Sequence, residues 1–317
     1  MGAVLSITLP LFLVIAVGYL AQRAALFPAP ALKGLSTFVF YFALPALLFR
    51  TMLAAPLKDA FAADFVLAYV LAGAFAFLAG AGIAAWSFRL DLGDAAIQGM
   101  AAAFGNVVFI ALPIVATTFG PAATQQVAVL LVFENAMLIP GAIVLLELAR
   151  RQPAAFWRLA ARLLGRLASN PVILAVATGA LANLAGLDLP EAIDAMARLL
   201  GAAAVPGALF ALGATLASQP LASRLPEIGF MAATKLFLHP AAVYVATSFV
   251  PGLDPSFRAA AVLAAAMPVG INVYLLAEQY GRSAKPASSA VLFSHVAALP
   301  TISLALYALL AGQLPGP

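Results

Sequence analysis

Ala103-Phe104-Gly105-Asn106-Val107-Val108-Phe109-Ile110-Ala111-Leu112-Pro113 and Ala266-Met267-Pro268-Val269-Gly270-Ile271-Asn272-Val273-Tyr274 place glycine, asparagine and proline inside two otherwise apolar stretches. In hydrocarbon, irregular backbone is tolerated only where it is buried in protein or lines a cavity, so both clusters read as broken membrane helices. Pro113 lacks an amide donor and clashes with the carbonyl four residues back, leaving that carbonyl free about one turn after Asn106. Pro268 does the same ahead of Gly270 and Asn272.

The two clusters hold the same slot in two halves of the chain. Pro10 and Gly18 recur as Pro171 and Gly179, Leu44-Pro45 and Leu48-Phe49 as Val205-Pro206 and Leu209-Phe210, and Phe119-Gly120 as Tyr280-Gly281, at an offset of 161 residues. Phe133 and Pro140 recur one residue out of step as Phe293 and Pro300. With 65% hydrophobic and 9% charged residues in 317, the chain reads as an all-α integral membrane protein. The spans expected are 4–23, 34–53, 64–87, 97–119, 124–147, 169–187, 199–217, 229–250, 259–280 and 288–311. The first apolar segment, Met1 to Gln22, is too long for a signal core and is read as a retained span. Five spans per half force the second copy into the bilayer from the opposite side. Ten transmembrane helices in two inverted repeats, 1–149 and 169–317, with helices 4 and 9 broken and crossed, are the expectation, and that architecture is typical of secondary transporters.

An external amino terminus puts Arg23, Lys33, Arg89, Arg150, Arg151, Arg158, Arg162, Arg166, Arg224, Lys235, Arg282 and Lys285 at cytoplasmic connections and leaves Arg50, Lys58, Arg198 and Arg258 for the other side. That bias follows the positive-inside rule and makes both termini external, in a plasma (inner) membrane protein. Segment 150–168 reads as a basic amphipathic connector on the cytoplasmic surface, with Arg158, Arg162 and Arg166 on one face. It fixes topology, or else serves as a lipid or partner site. The net charge of +4 sits between spans, so lipid headgroups rather than nucleic acid are its expected counterions. No cysteine occurs, which excludes disulfides and thiol-held metal.

Half-helix amino termini that meet near the midplane would aim dipoles and free amides at one spot, which suits a carboxylate. Asn106 and Asn272 would contact that anion, with Gly105, Gly270, Pro113 and Pro268 shaping the pocket. Ordinary proline kinks with interhelical asparagine bonds are the structural alternative. Tyr274, two residues past Asn272, lines the pocket or packs between helices. Glu134 lies mid-span, where a charge costs ~3 kcal/mol or more unless paired or neutralised. It is a candidate proton-coupling group or a structural tie. Asn135 and His295 hold matching positions in the fifth and tenth spans and could reach the pocket or exchange protons. Lys235 is expected to snorkel to the cytoplasmic edge, with His239 deeper.

The quoted motifs, together with Phe42-Ala43-Leu44-Pro45-Ala46-Leu47-Leu48-Phe49, resemble those of the auxin efflux carrier family, which includes the plant PIN proteins and many bacterial permeases of similar length. The resemblance spans the chain and implies a fold related to bile-acid symporters and sodium/proton antiporters. It further implies a scaffold of helices 1, 2, 6 and 7, a mobile transport unit of helices 3–5 and 8–10, an elevator-like slide and a homodimer. The long hydrophilic loop of many plant members is missing, so auxin itself is not the expected cargo.

The function expected is secondary or potential-driven transport of a small organic anion, in the efflux direction, with protons as possible partners and no cofactor or metal. A cation/proton antiporter normally needs carboxylates at the crossover, where this chain has asparagine; a channel or sensor of the same fold is the other alternative. An intramembrane enzyme is disfavoured, since His239 and His295 fall in separate spans without a metal motif, and no serine is spaced with a base.

Overall fold

The computed structural model describes residues 2–54, 63–150, 160–161, 163–165, 168–217 and 224–310, and these are helical with short connections. In chain order they form α1 (Gly2–Arg23), α2 (29–53), α3 (Ala63–Phe88), α4 (Leu92–Ala103), α5 (Val107–Thr118), α6 (Gly120–Leu148), α7 (Pro171–Leu184), α8 (Glu191–Ala217), α9 (Leu225–Ser248), α10 (Pro255–Ala265), α11 (Ile271–Tyr280) and α12 (Ala284–Leu310). Six of them are long and apolar enough to cross a membrane: α3, α6, α8, α9, α12 and the stretch Pro30–Leu53 of α2. The exterior suits lipid. Leu67, Leu71, Phe75 and Leu78 make a helical stripe on α3, each more than half exposed, which in water would be an aggregation surface. The body of the basic connector lies outside the described residues, including Trp157, Arg158, Arg162 and Arg166; so does Lys58.

Proline placement accounts for the irregular turns. In α2, α5 and α9 one turn widens to i→i+5 bonding, at Val39–Ala43, Val107–Ala111 and Thr234–Leu238, just ahead of Pro45, Pro113 and Pro240. A wide turn lets the proline ring clear the carbonyl it would otherwise strike and passes the helix on without the missing N–H. The recurring aromatic-glycine pairs serve the sharp turns that open α6 and α12. Gly120 and Gly281 adopt φ values of 81° and 65°, a region that costs glycine nothing. The outer half-helices are capped alike: the Asp91 carboxylate accepts from the Asp94 N–H at 3.0 Å and the Asp254 carboxylate from the Ser256 N–H at 2.7 Å. The Asp94 amide, with Arg282, holds the Asp91 carboxyl below its ordinary value, and the Ser256 hydroxyl and amide do the same for Asp254.

Helix pairs pack backbone to backbone through glycine, as small residues permit between membrane helices. A Cβ on Gly18 of α1 would fall 2.1 Å from the Phe210 carbonyl oxygen of α8, and one on Gly179 of α7 would fall 2.5 Å from the Phe49 oxygen of α2. These are the residues that recur in the sequence: Gly18 meets the repeat mate of Phe49, and Gly179 meets Phe49 itself. Gly213 of α8 approaches Ile15 of α1 still more closely, with a Cβ-to-oxygen distance of 1.9 Å. The Arg50 guanidinium, 2.6 Å from the Asp194 carboxylate, and the Asn183 amide, 2.5 Å from the Leu53 carbonyl, tie the end of α2 to α8 and α7.

Gly213→Ala and Gly18→Ala should each cost about 1–3 kcal/mol by overpacking. Gly82→Ala, at a helical glycine with open space around it, should cost nothing. Melting of the three variants in detergent measures the difference, and an equal response from all three would remove the close-contact account.

Candidate functional site

The helical path stops after Ala103 and again after Ala265, and the two gaps lie against each other. Phe104 and Gly270 are extended, with ψ of 113° and 144°, and Gly105 pairs with Val269 as in an antiparallel ladder. The Asn106 N–H donates to the Pro268 carbonyl at 2.9 Å and the Gly270 N–H to the Phe104 carbonyl at 3.0 Å. The Val269 N–H donates to Ser294 Oγ at 3.1 Å, and the Gly105 N–H lies 3.5 Å from Glu134 Oε1. Backbone groups freed by each break are thus bonded by the other break or by a side chain. Gly270 is needed for the approach, because a Cβ there would sit 2.7 Å from the Phe104 ring and 3.0 Å from the Gly105 oxygen.

The amides at the gap are therefore engaged, and the open ones belong to the first turns beyond it. Val107, Val108 and Phe109 begin α5, while Ile271 and Asn272 begin α11; all five line one cavity of about 400 Å³. First-turn amides have no intrahelical acceptor, and both helix dipoles present their positive ends there. Ser36, Val39 and Phe40 of α2, Asn170 and Val172 at the start of α7, and Ala208 to Thr215 of α8 close the opposite wall. Four asparagines, Asn106, Asn135, Asn170 and Asn272, supply the carboxamides, and among the described residues no Lys, Arg, His, Asp or Glu takes part in the lining. A second cavity of about 320 Å³ shares Phe40, Asn135, Asn170, Asn272 and Leu275 with the first and continues past Leu163 and Ser169 toward the connector.

Each asparagine is held differently. His295 Nδ1 lies 2.7 Å from the Val291 carbonyl, which only accepts, so Nδ1 carries the proton. With a neutral ring, Nε2 then accepts from Asn106 Nδ2 at 3.1 Å. Asn135 Nδ2 donates to the Leu131 carbonyl at 2.7 Å. Asn170 Oδ1 caps α7 by accepting from the Val172 and Ile173 amides at 2.9 and 3.3 Å. Asn272 is half-buried and opens on both cavities. Pro113 and Pro268 are buried in the surrounding core, Gly105 and Gly270 line the cavity, and Tyr274, within α11, packs against the core and bonds Glu278 instead.

Charge collects behind the crossover, on the face away from the cavity. Glu134, 2% exposed, accepts from the Tyr69 hydroxyl at 2.6 Å. Lys235, expected at the cytoplasmic edge, is fully buried. Its Nζ donates to the Ala265 carbonyl, the last of α10, and sits 3.1 Å from Nδ1 of the buried His239. A Cβ on Gly105 would fall 3.0 Å from Lys235 Nζ. The widened turn of α9 aims Lys235 inward, and the break that strips Ala265 of its helical donor makes the ammonium a useful replacement at the negative end of a helix dipole. A lysine inside an apolar span could have flagged this, since a charge at that depth calls for a partner.

A family model described as Membrane transport protein matches residues 3–306. A protein of Rhizobium meliloti (strain 1021) named "Putative malonate transporter" is 33% identical over 99% of this chain and 98% of its own length. Auxin efflux carrier component 8 of Arabidopsis thaliana is 31% identical over 39% of this chain and 34% of its own. "Uncharacterized transporter YfdV" of Escherichia coli (strain K12) is 24% identical over 94% of this chain and 95% of its own.

Removing the ammonium alone should leave Glu134 and the Ala265 carbonyl uncompensated. Lys235→Met is expected to destabilise by about 1–3 kcal/mol, the cost of leaving a buried acceptor without its donor. Adding Glu134→Gln should recover part of that loss. Strictly additive losses in a double-mutant cycle, measured by unfolding in detergent, would show that the two groups do not sense each other.

Proposed function

This chain belongs to the membrane transport protein family that includes the auxin efflux carriers, and from that premise we propose that it moves a small organic anion, a carboxylate, across the membrane by alternating access. It is a multi-pass membrane protein of a family of transporters rather than enzymes. The observation that carries the substrate reading is the uncharged cavity of about 400 Å³ into which two half-helix amino termini and four asparagines converge. Such a site attracts a negative group through dipoles and amides without binding it as tightly as a fixed cation would. The relative named for malonate supports an organic acid.

The proposed architecture is ten transmembrane helices in two inverted five-helix repeats, with α4–α5 and α10–α11 as the broken fourth and ninth spans. The reciprocal contacts of Gly18 with Phe210 and Gly179 with Phe49 support a two-fold relation between the halves. One cavity wall comes from α2, α7 and α8 and the other from α5, α6 and α11, which fits a scaffold (spans 1, 2, 6 and 7) and a transport unit (spans 3–5 and 8–10) sliding past it. Placing the connector in the cytoplasm, with both termini outside and basic side chains on lipid headgroups, makes the second cavity the inward mouth. A homodimer of scaffold units is the proposed assembly. Efflux of a monoanion from a negative interior is downhill by ~2.3 kcal/mol per 100 mV, so the potential alone could drive it. Coupled proton movement would use Glu134. Cation exchange fits less well, because Glu134 stands behind Gly105 rather than in the cavity lining.

Asn106→Ala and Asn272→Ala should each abolish carboxylate flux in proteoliposomes while the melting temperature stays within a few degrees. Wild-type flux in both variants would remove the site. Glu134→Gln should alter the pH dependence of flux, and an unchanged profile would make Glu134 structural.

A further inference from the structure

Two of the asparagines around the cavity have their polarity fixed by backbone partners. Asn170 Oδ1 already accepts two amide hydrogens at the start of α7, so its Nδ2 alone is left to face a ligand. Asn135 commits an Nδ2 hydrogen to the Leu131 carbonyl, and its Oδ1 has no partner among the described residues. Neither assignment can be inverted by flipping the amide, because backbone N–H only donates and backbone C=O only accepts. Both residues line both cavities, at the junction between the crossover pocket and its mouth. One is therefore a donor and the other an acceptor, on opposing walls.

Resting on the carboxylate reading of the crossover, we infer that Asn170 and Asn135 form a second recognition element that reads a protonated carboxyl group, so that the substrate is a short dicarboxylic acid bound as its monoanion. The ionised end lies at the first turns of α5 and α11. At the other end the acid's C=O accepts from Asn170 Nδ2 and its O–H donates to Asn135 Oδ1. A second carboxylate would find an acceptor oxygen facing it and no cation among the described residues of either wall, and an unpaired buried acceptor is costly. A monocarboxylate would leave both asparagines unpaired, which sites built to hydrogen-bond a substrate group reject strongly.

The titratable groups on the surrounding elements include Tyr41 in the mouth, Tyr274 and Glu278 on α11, His295 against Asn106, and Tyr69, Glu134, Lys235 and His239 behind the crossover, so pH dependence must be assigned to ligand or protein. Thermal shift of the purified full-length protein across pH 5 to 8 does this with three probes: malonate, its half-amide malonamate, and propionate. Malonamate keeps the C=O acceptor and an N–H donor at all these pH values. Malonate affinity should fall with rising pH, following its second ionisation, while malonamate affinity stays level and propionate binds at least ten-fold more weakly than malonamate. Asn170→Ser and Asn170→Thr both retain an oxygen that caps α7, add no charge and withdraw the amide donors. Each should reduce malonamate affinity at least ten-fold while changing propionate affinity far less. Malonate binding that holds level or strengthens as pH rises, or equal losses for malonamate and propionate in both variants, would overturn the inference and leave the carboxylate site standing. If none of the three probes shifts melting at any pH, the carboxylate reading falls, and this inference with it.

Discussion

The fold depends on settling the hydrogen bonds of two broken helices in a medium that offers none. Each gap releases amides and carbonyls that would cost several kcal/mol apiece if left bare in hydrocarbon. The solution is reciprocal: Asn106 donates to Pro268, Gly270 donates to Phe104, and Glu134, Ser294 and Lys235 take part in what remains. Because each break supplies the other's partners, neither can exist alone. Gly270 follows from this, since any side chain there would hold the two strands apart.

That arrangement sorts charge by face. The carboxyl-terminal ends of α4 and α10 carry the negative ends of their dipoles, and the Lys235 ammonium sits against the last carbonyl of α10. The amino-terminal ends of α5 and α11 point the other way, into a cavity with no ionic side chain among its described lining residues. Ionisable groups thus hold the crossover from behind, while dipoles and carboxamides face the cavity. Glu134 reaches the crossover through the Gly105 amide and α3 through Tyr69, so any change in its charge would be felt at the hinge of both gaps before it was felt in the pocket.

Much of this was legible from residue order. Proline and glycine inside apolar runs located both breaks, and the recurrence of Gly18, Phe49, Phe119-Gly120 and their mates picked out residues that the structure uses for helix contact and for left-handed turns. Composition marked the membrane. Lys235 departs from its expected place at the cytoplasmic edge because the widened turn ahead of Pro240 rotates it inward, and a change of helical period is invisible to a fixed 3.6-residue reading. The free amides were displaced by one turn for a related reason: sequence shows where bonds are lost but not which partner across the chain takes them up. Asn170 went unremarked because it stands at a helix start beside the basic connector, where an asparagine before proline reads as a cap. It is a cap, and the lock that capping places on its oxygen is what gives its nitrogen a fixed direction.

A carrier must release what it binds, and on the proposed anion reading this bears on why the described lining of the pocket has no lysine or arginine. A fixed cation in a cavity of low dielectric would hold a carboxylate by many kcal/mol and make departure slow. Two helix amino termini and a set of neutral amides give direction and selectivity with a shallower well, since each dipole end is worth roughly 0.3–2 kcal/mol. On the proposed carboxylate reading such a pocket need not be recharged when empty, because no ionic side chain among its described residues is left unpaired once the anion goes. Under the proposed slide of the α5, α6 and α11 wall against α2, α7 and α8, the described cavity surfaces that pass one another are uncharged, and Glu134 and Lys235 keep their partners Tyr69 and His239 within one set of packed helices.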